Sequence, residues 1–196
     1  MSLEVTLMRI AEIQSLVAPP RPAATGGTAA PAALSPAGQG PAPTTFAGAL
    51  ASAGPPGQRV VAAAAGEVGQ AEQPPGSNDS PRIAEYRSAM PGNPGVGPWC
   101  AYFVSWVARQ AGTPLGDRGE GFASVDAVAA WAQRSGRWSP SSVPPQPGDL
   151  IVWDEHIGIV ESVDPDGTVH TIEGNSGDAV TRRTHAAGSP LGYVRP

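Results

Sequence analysis

Cysteine is nearly absent from this chain of 196 residues, and lysine is absent altogether. A single thiol, Cys100, excludes an internal disulfide and cannot by itself assemble a structural metal site. All 12 basic residues are arginine, against 17 acids, for a formal charge of −5. No basic stripe or cluster is present, so the electrostatic footprint of a nucleic-acid or anionic-lipid binder is missing. No apolar run approaches the ~20 residues that a membrane-spanning helix needs. The amino-terminal MSLEVTLMRIAEIQSLVAPP is also a poor secretory signal, since Glu4, Arg9 and Glu12 interrupt it and no basic leader precedes it.

What is present divides unevenly along the chain. Residues 3 to 17 place Leu3, Leu7, Ile10 and Val17 at roughly helical spacing, which predicts a short amphipathic segment (1–17) seeking a protein partner. Residues 18–58 are almost entirely Ala, Pro, Gly, Ser and Thr, with Arg21 as the one charge, and read as a linker unable to bury a core. Residues 59–196 hold all five Trp and all three Tyr and are long enough for one folded domain.

Within that domain the periodicity predicts helices first and strands second. A helix is expected from about Arg59 to before Pro74. A second opens at Ser80-Pro81, where a capping hydroxyl precedes a proline at the first helical position, and runs through Met90. A third carries Cys100 just inside its start and stops at Gly112; a fourth runs from the cap Ser124 through Arg134 to Gly136. From Pro147 on, GDLIVWD, HIGIVESV, TVHTIEGN and the terminal LGYVRP read as strands. Asp164-Pro165-Asp166-Gly167 is the turn between the middle two. This order predicts an α+β domain with helices packed on a small antiparallel sheet.

The hairpin supplies the chemistry. With Pro165 and Asp166 as the turn residues, paired positions sum to 331, so that His156 faces Asn175 and Ile159 faces Ile172. Glu173 and Asn175 then share a side of the ribbon with His156, with Val160 and Val169 shielding them. A one-residue slip would break this set. Cys100, at a helix amino end where the macrodipole favours a thiolate, is the candidate nucleophile. His156 is its base, and Glu173 or Asn175 holds the imidazole in its productive tautomer. The predicted reaction is attack on an amide through a thioester acyl-enzyme. His170 falls on the opposite face from Glu173, and His185 is read into a Gly/Ala/Ser-rich loop. Trp99 and Trp153 are expected in the core or, beside the site, as walls of a substrate groove.

The segments EVGQAEQPPGSN, PWCAYFVSWVARQAG, PGDLIVWDEHIGIVESVDPDGTVHTIEGNSG and GYVRP, in that order, resemble the CHAP domain, a family of cysteine- and histidine-dependent amidohydrolases/peptidases. The resemblance covers roughly residues 60 to 196. It implies a papain-like fold and cleavage of amide bonds in bacterial peptidoglycan, as an N-acetylmuramoyl-L-alanine amidase or a peptidase. It also implies Cys100 as nucleophile, His156 as base, Glu173 as orienting carboxylate and Asn175 as an assisting polar residue. Some members bind calcium through an acidic loop before the cysteine. Met90 to Trp99 contains no acid, so neither a metal nor another cofactor is expected.

A peptidoglycan substrate implies work outside the membrane, in cell wall or periplasm, without a recognised signal peptide. The segment RIAEIQSL with its linker and TFAGALASA loosely resembles the amino ends of flagellar rod-type proteins. Export with flagellar rod or export components as partners is the resulting expectation. The alternatives are a phage endolysin and a non-catalytic wall-binding adaptor.

Overall fold

The computed structural model describes residues 54–196; the expected helix at 3–17 and most of the linker at 18–58 lie outside the described residues. Four helices come first: α1 (Pro56–Ala65), α2 (Pro81–Ser88), α3 (Cys100–Gln110) and α4 (Val125–Arg134). Six strands follow: β1 (Trp138–Pro140), β2 (Leu150–Val152), β3 (Ile157–Val163), β4 (Val169–Glu173), β5 (Thr181–His185) and β6 (Gly192–Val194). They form one antiparallel sheet in the order β1-β6-β2-β3-β4-β5. The fold is α+β, with helices packed on an antiparallel sheet as the periodicity predicts.

The local signals account for most boundaries. The Ser80 hydroxyl accepts the Ile83 N–H and the Ser124 hydroxyl accepts the Ala127 N–H, so each satisfies a donor left free at a helix start. Gly112 and Gly136, at φ 76° and 71°, take the left-handed conformation that ends α3 and α4. Two helices depart from expectation. The second ends at Ser88, short of Met90. The first starts at Pro56, ahead of Arg59, and closes at Ala65 instead of continuing toward Pro74. The chain after it is drawn out by long-range pairing: Gly69 N–H donates to Val180 O, Val180 N–H to Gln70 O, and Glu72 N–H to Asp178 O.

Two strands were not legible as strands. The residues of β1, Trp-Ser-Pro, pair with β6 through long-range contact alone. The residues of β5, Thr-Arg-Arg-Thr-His, carry no apolar alternation because the strand is an edge with both faces largely polar. His185 therefore ends a strand and does not lie in the loop the composition suggested.

One face of the sheet meets the helices. Val152, Ile157, Ile159, Ile172 and Val194 pack there with Val60, Phe103, Val104 and Val107 in the main core. Each fully buried side chain of this size contributes about 1.5–3 kcal/mol by leaving water. The other face carries a smaller cluster of Ile151, Val160, Val169 and Tyr193, with Trp153 against it. Among the described residues no helix is long and apolar enough to cross a membrane.

Two glycines allow the approaches that build the site. A Cβ on Gly174, just past β4, would lie 2.6 Å from Phe103 Cβ and 2.8 Å from the Trp99 ring, so the start of α3 rests directly on the end of β4. A Cβ on Gly158 would lie 2.6 Å from Glu173 Cγ, so the glutamate side chain crosses the strand in the space a side chain would have filled.

Candidate active site

Cys100 is the first residue of α3 and is 5% exposed. It opens on a cleft of about 310 Å³ walled by Pro98, Tyr102, Ser124, Asp126, Asp154 and Glu155. A larger cavity, about 470 Å³, lies between the start of α1 and the carboxyl end and is lined by neither cysteine nor histidine.

His156 arrives through a tight turn. Trp153 ends the β2 side, its N–H donates to His156 O at 2.9 Å, and Asp154 and Glu155 form the tip. Glu173 closes β4 on the same face, and its Oε2 lies 2.9 Å from His156 Nε2. Beyond the bulge the register is the expected one, with Ile159 opposite Ile172 and Val160 opposite Thr171. Nearer the turn it differs. Asp164 N–H donates to Thr168 O, enclosing three residues with Gly167 at φ 87°, and Val163 faces Val169. A bulge between Val160 and Ser162 absorbs the extra residue. The longer loop and the bulge cancel, so His156 and Glu173 stay on one face.

Glu173 is 2% exposed, and burial alone would push its carboxyl up. Hydrogen bonds from His156, Thr171 and His185 more than reverse this and hold it at about 2. An ionised carboxylate only accepts, so His156 Nε2, His185 Nε2 and Thr171 Oγ1 all donate to it. His156 therefore has only Nδ1 left for Cys100. Burial works against a charged His156, but Cys100 and Glu173 beside it outweigh burial and raise it to about 9. No hydrogen bond of standard geometry joins Cys100 to the ring.

The remaining expected residues divide. Trp153 is half-buried and lies against both imidazoles, with ring centroids 5.8 Å from His156 and 4.5 Å from His185. Trp99 has no exposed surface, which corrects its expected place as a groove wall. Its Nε1 donates to buried Glu72 Oε1 at 2.9 Å, and its ring meets Phe103 edge-on and packs beside Tyr86. Asn175 lies beyond the end of β4 in a turn at φ 58°, and its side chain makes no hydrogen bond to His156 or Glu173. His170 points to the far side and bonds Asp164 at 2.8 Å.

Sequence reasoning missed Thr171 and His185 at the site and Glu67 and Glu72 behind it. Glu72 also accepts the Asn78 N–H, fixing the chain that braces Trp99. Glu67 accepts from Arg82 and from the Tyr86 hydroxyl, each at 2.6 Å, which holds α2 against the segment after α1. Those hydrogen bonds lower the Glu67 carboxyl. The one available signal for Thr171 was its parity with Glu173. Among the described residues, no group of three or more His, Cys, Asp or Glu side chains is placed to hold a metal ion.

No curated protein matches the chain. Two similar solved structures are the crystal structure of Ly7917, at 19% identity and TM-score 0.43, and that of Ly7917 with the hydrolyzing product of MDP, at 17% and 0.44. In each case the match covers 71% of this chain, and this chain spans 62% of the other's length. The CHAP domain family model matches residues 92–175, the span that runs from the loop before Cys100 through His156 and Glu173 to Asn175. This chain contains a CHAP domain.

Proposed function

We propose that the protein is a peptidoglycan hydrolase that cleaves an amide bond through Cys100, His156 and Glu173. The observation that carries the reading is the 2.9 Å contact of His156 Nε2 with buried Glu173, which leaves Nδ1 for the thiol at the start of α3. The CHAP domain match over residues 92–175 supports peptidoglycan as the substrate.

The steps follow from the geometry. With its proton already passed to His156 Nδ1, which a ring held at about 9 retains, Cys100 sulfur attacks the amide carbon. The oxyanion takes the Cys100 backbone N–H, which has no acceptor within its own helix because it is the first helical residue. Collapse breaks the C–N bond, and His156 gives its proton to the leaving amine. Water then adds to the thioester while His156 accepts a proton. The C–S bond breaks, and the carboxylic product leaves with the thiol restored. Glu173 keeps the ring oriented and balances the imidazolium charge throughout. Trp153 serves as a wall beside His156, and Asn175 assists by contacting bound substrate from the turn after β4.

Residues 59–196 form the catalytic domain on this reading, tethered by 18–58 to a helical docking segment at 1–17. Action on peptidoglycan places the protein outside the cytoplasmic membrane, and the loose amino-terminal likeness to flagellar rod-type proteins suggests service to a growing axial structure. Continued secretion from a flagellated host lacking flagellar export would rule out that route. The catalytic reading is tested with Cys100→Ala on purified cell walls. Turbidity loss should vanish while the melting temperature holds, and an unchanged rate would refute it.

A further inference from the structure

The Glu173 carboxylate is held at both oxygens. Oε2 serves His156, whereas Oε1 accepts from Thr171 Oγ1 at 2.5 Å and from His185 Nε2 at 2.6 Å. Register puts His185 opposite Val169, four residues along β4 from Glu173, so the contact is made by two side chains lying over Thr171 on one face. The His185 ring is seated against Trp153, which also lies over His156. Thr171 alone is the weaker hold, because its hydroxyl has a second acceptor in Arg183 O at 3.4 Å to which it can turn, whereas the His185 donor keeps Oε1 from rotating and carrying Oε2 away from His156.

We propose that His185 is a positioning residue of the active site, clamping Oε1 of Glu173 so that Oε2 stays aimed at His156. The inference rests on the catalytic reading above, with His185 acting through Glu173 and not on substrate. The groups that face this carboxylate or its partners are His156 and the turn acids Asp154 and Glu155, Thr171 on β4, Cys100 on α3 and Arg183 on β5. Arg183 is engaged elsewhere, donating to Ser176 Oγ at 2.9 Å. His185 is thus the one imidazole donor that reaches Glu173 from β5.

The test compares His185→Phe, which keeps a ring against Trp153 without the donor, with His185→Gln, whose amide can donate to Oε1. Two readouts are taken on the full chain: wall hydrolysis over a pH series, and long-range proton–nitrogen NMR of the imidazoles. The chain has only three histidines, and His170, bound to Asp164 on the far face, is an internal reference. In His185→Phe, kcat should fall about tenfold with KM unchanged, the order expected for one charge-assisted hydrogen bond. The His156 midpoint should drop from about 9, and His185→Gln should recover most of both. An unmoved His156 midpoint in His185→Phe overturns the clamp whether or not walls are cleaved, as does failure of glutamine to rescue or a loss confined to KM. A lowered midpoint in a protein that never cleaves walls would keep the clamp and overturn the peptidoglycan reading.

Discussion

Replacing Glu173 by glutamine keeps the shape of the side chain and removes its charge. The carboxylate is 2% exposed, so little water is available to take over its role. Its hydrogen bonds hold it at about 2 against an ordinary value of 4.5. At 1.36 kcal/mol per unit, that difference corresponds to about 3 kcal/mol in favour of the ionised form. His156 feels the same attraction from the other side of the contact. The part that bears on catalysis is the charge-assisted bond to His156 Nε2, worth about 1.5–3 kcal/mol, or roughly ten- to hundredfold in kcat if it is lost in the transition state. The neutral amide should also release His156 from about 9 toward its ordinary 6.5. The assay is turbidity loss of purified cell walls over a pH series, with thermal unfolding as control for folding. Glu173→Gln should lower kcat by that factor and bring the alkaline limb of the profile to lower pH. A rate within about twofold of the parent, with the alkaline limb in place, would refute the assignment of Glu173 as the orienting carboxylate.

Other expectations follow from the same geometry. Gly174→Ala sets a Cβ 2.6 Å from Phe103 Cβ and should cost about 1–3 kcal/mol of stability; an unchanged melting temperature would mean α3 does not rest on β4 as described. Trp99→Phe strands the buried Glu72 Oε1 and should cost about 1–3 kcal/mol without raising KM, whereas a raised KM in a fully folded variant would restore Trp99 to a substrate groove. Stability should also depend on pH with a defined sign. The lowered Glu173 contributes stability present above 4.5 and lost as pH falls through about 2. The raised His156 contributes stability fully present below 6.5 and lost as pH rises through about 9. Melting temperature should therefore be highest between these windows, and a flat profile from 6.5 to 9 would contradict the His156 assignment.

What the sequence determined by itself was local and periodic. Serine caps at Ser80 and Ser124 and stop glycines at Gly112 and Gly136 act within a few residues, so the helices were readable to within a turn except where distant pairing drew the chain out after Ala65. Parity on the β3–β4 hairpin is likewise local. It placed His156 and Glu173 on one face, although the two-residue turn that led there is a three-residue loop offset by a bulge at Glu161.

Tertiary structure decided which faces meet. No pattern within α3 says that Cys100 must sit over the β2–β3 turn. That follows from the bare Cα of Gly174 against Phe103 and from Glu72 bracing Trp99. The same packing took Trp99 out of reach of a substrate and left Asn175 past the end of its strand. His185 was hidden for a further reason: an edge strand of Thr, Arg and His has no hydrophobic alternation to announce it, and its partner, Glu173, lies across the sheet and not along the chain. Short-range periodicity fixes which side chains share a face, and burial across long separations fixes what that face touches.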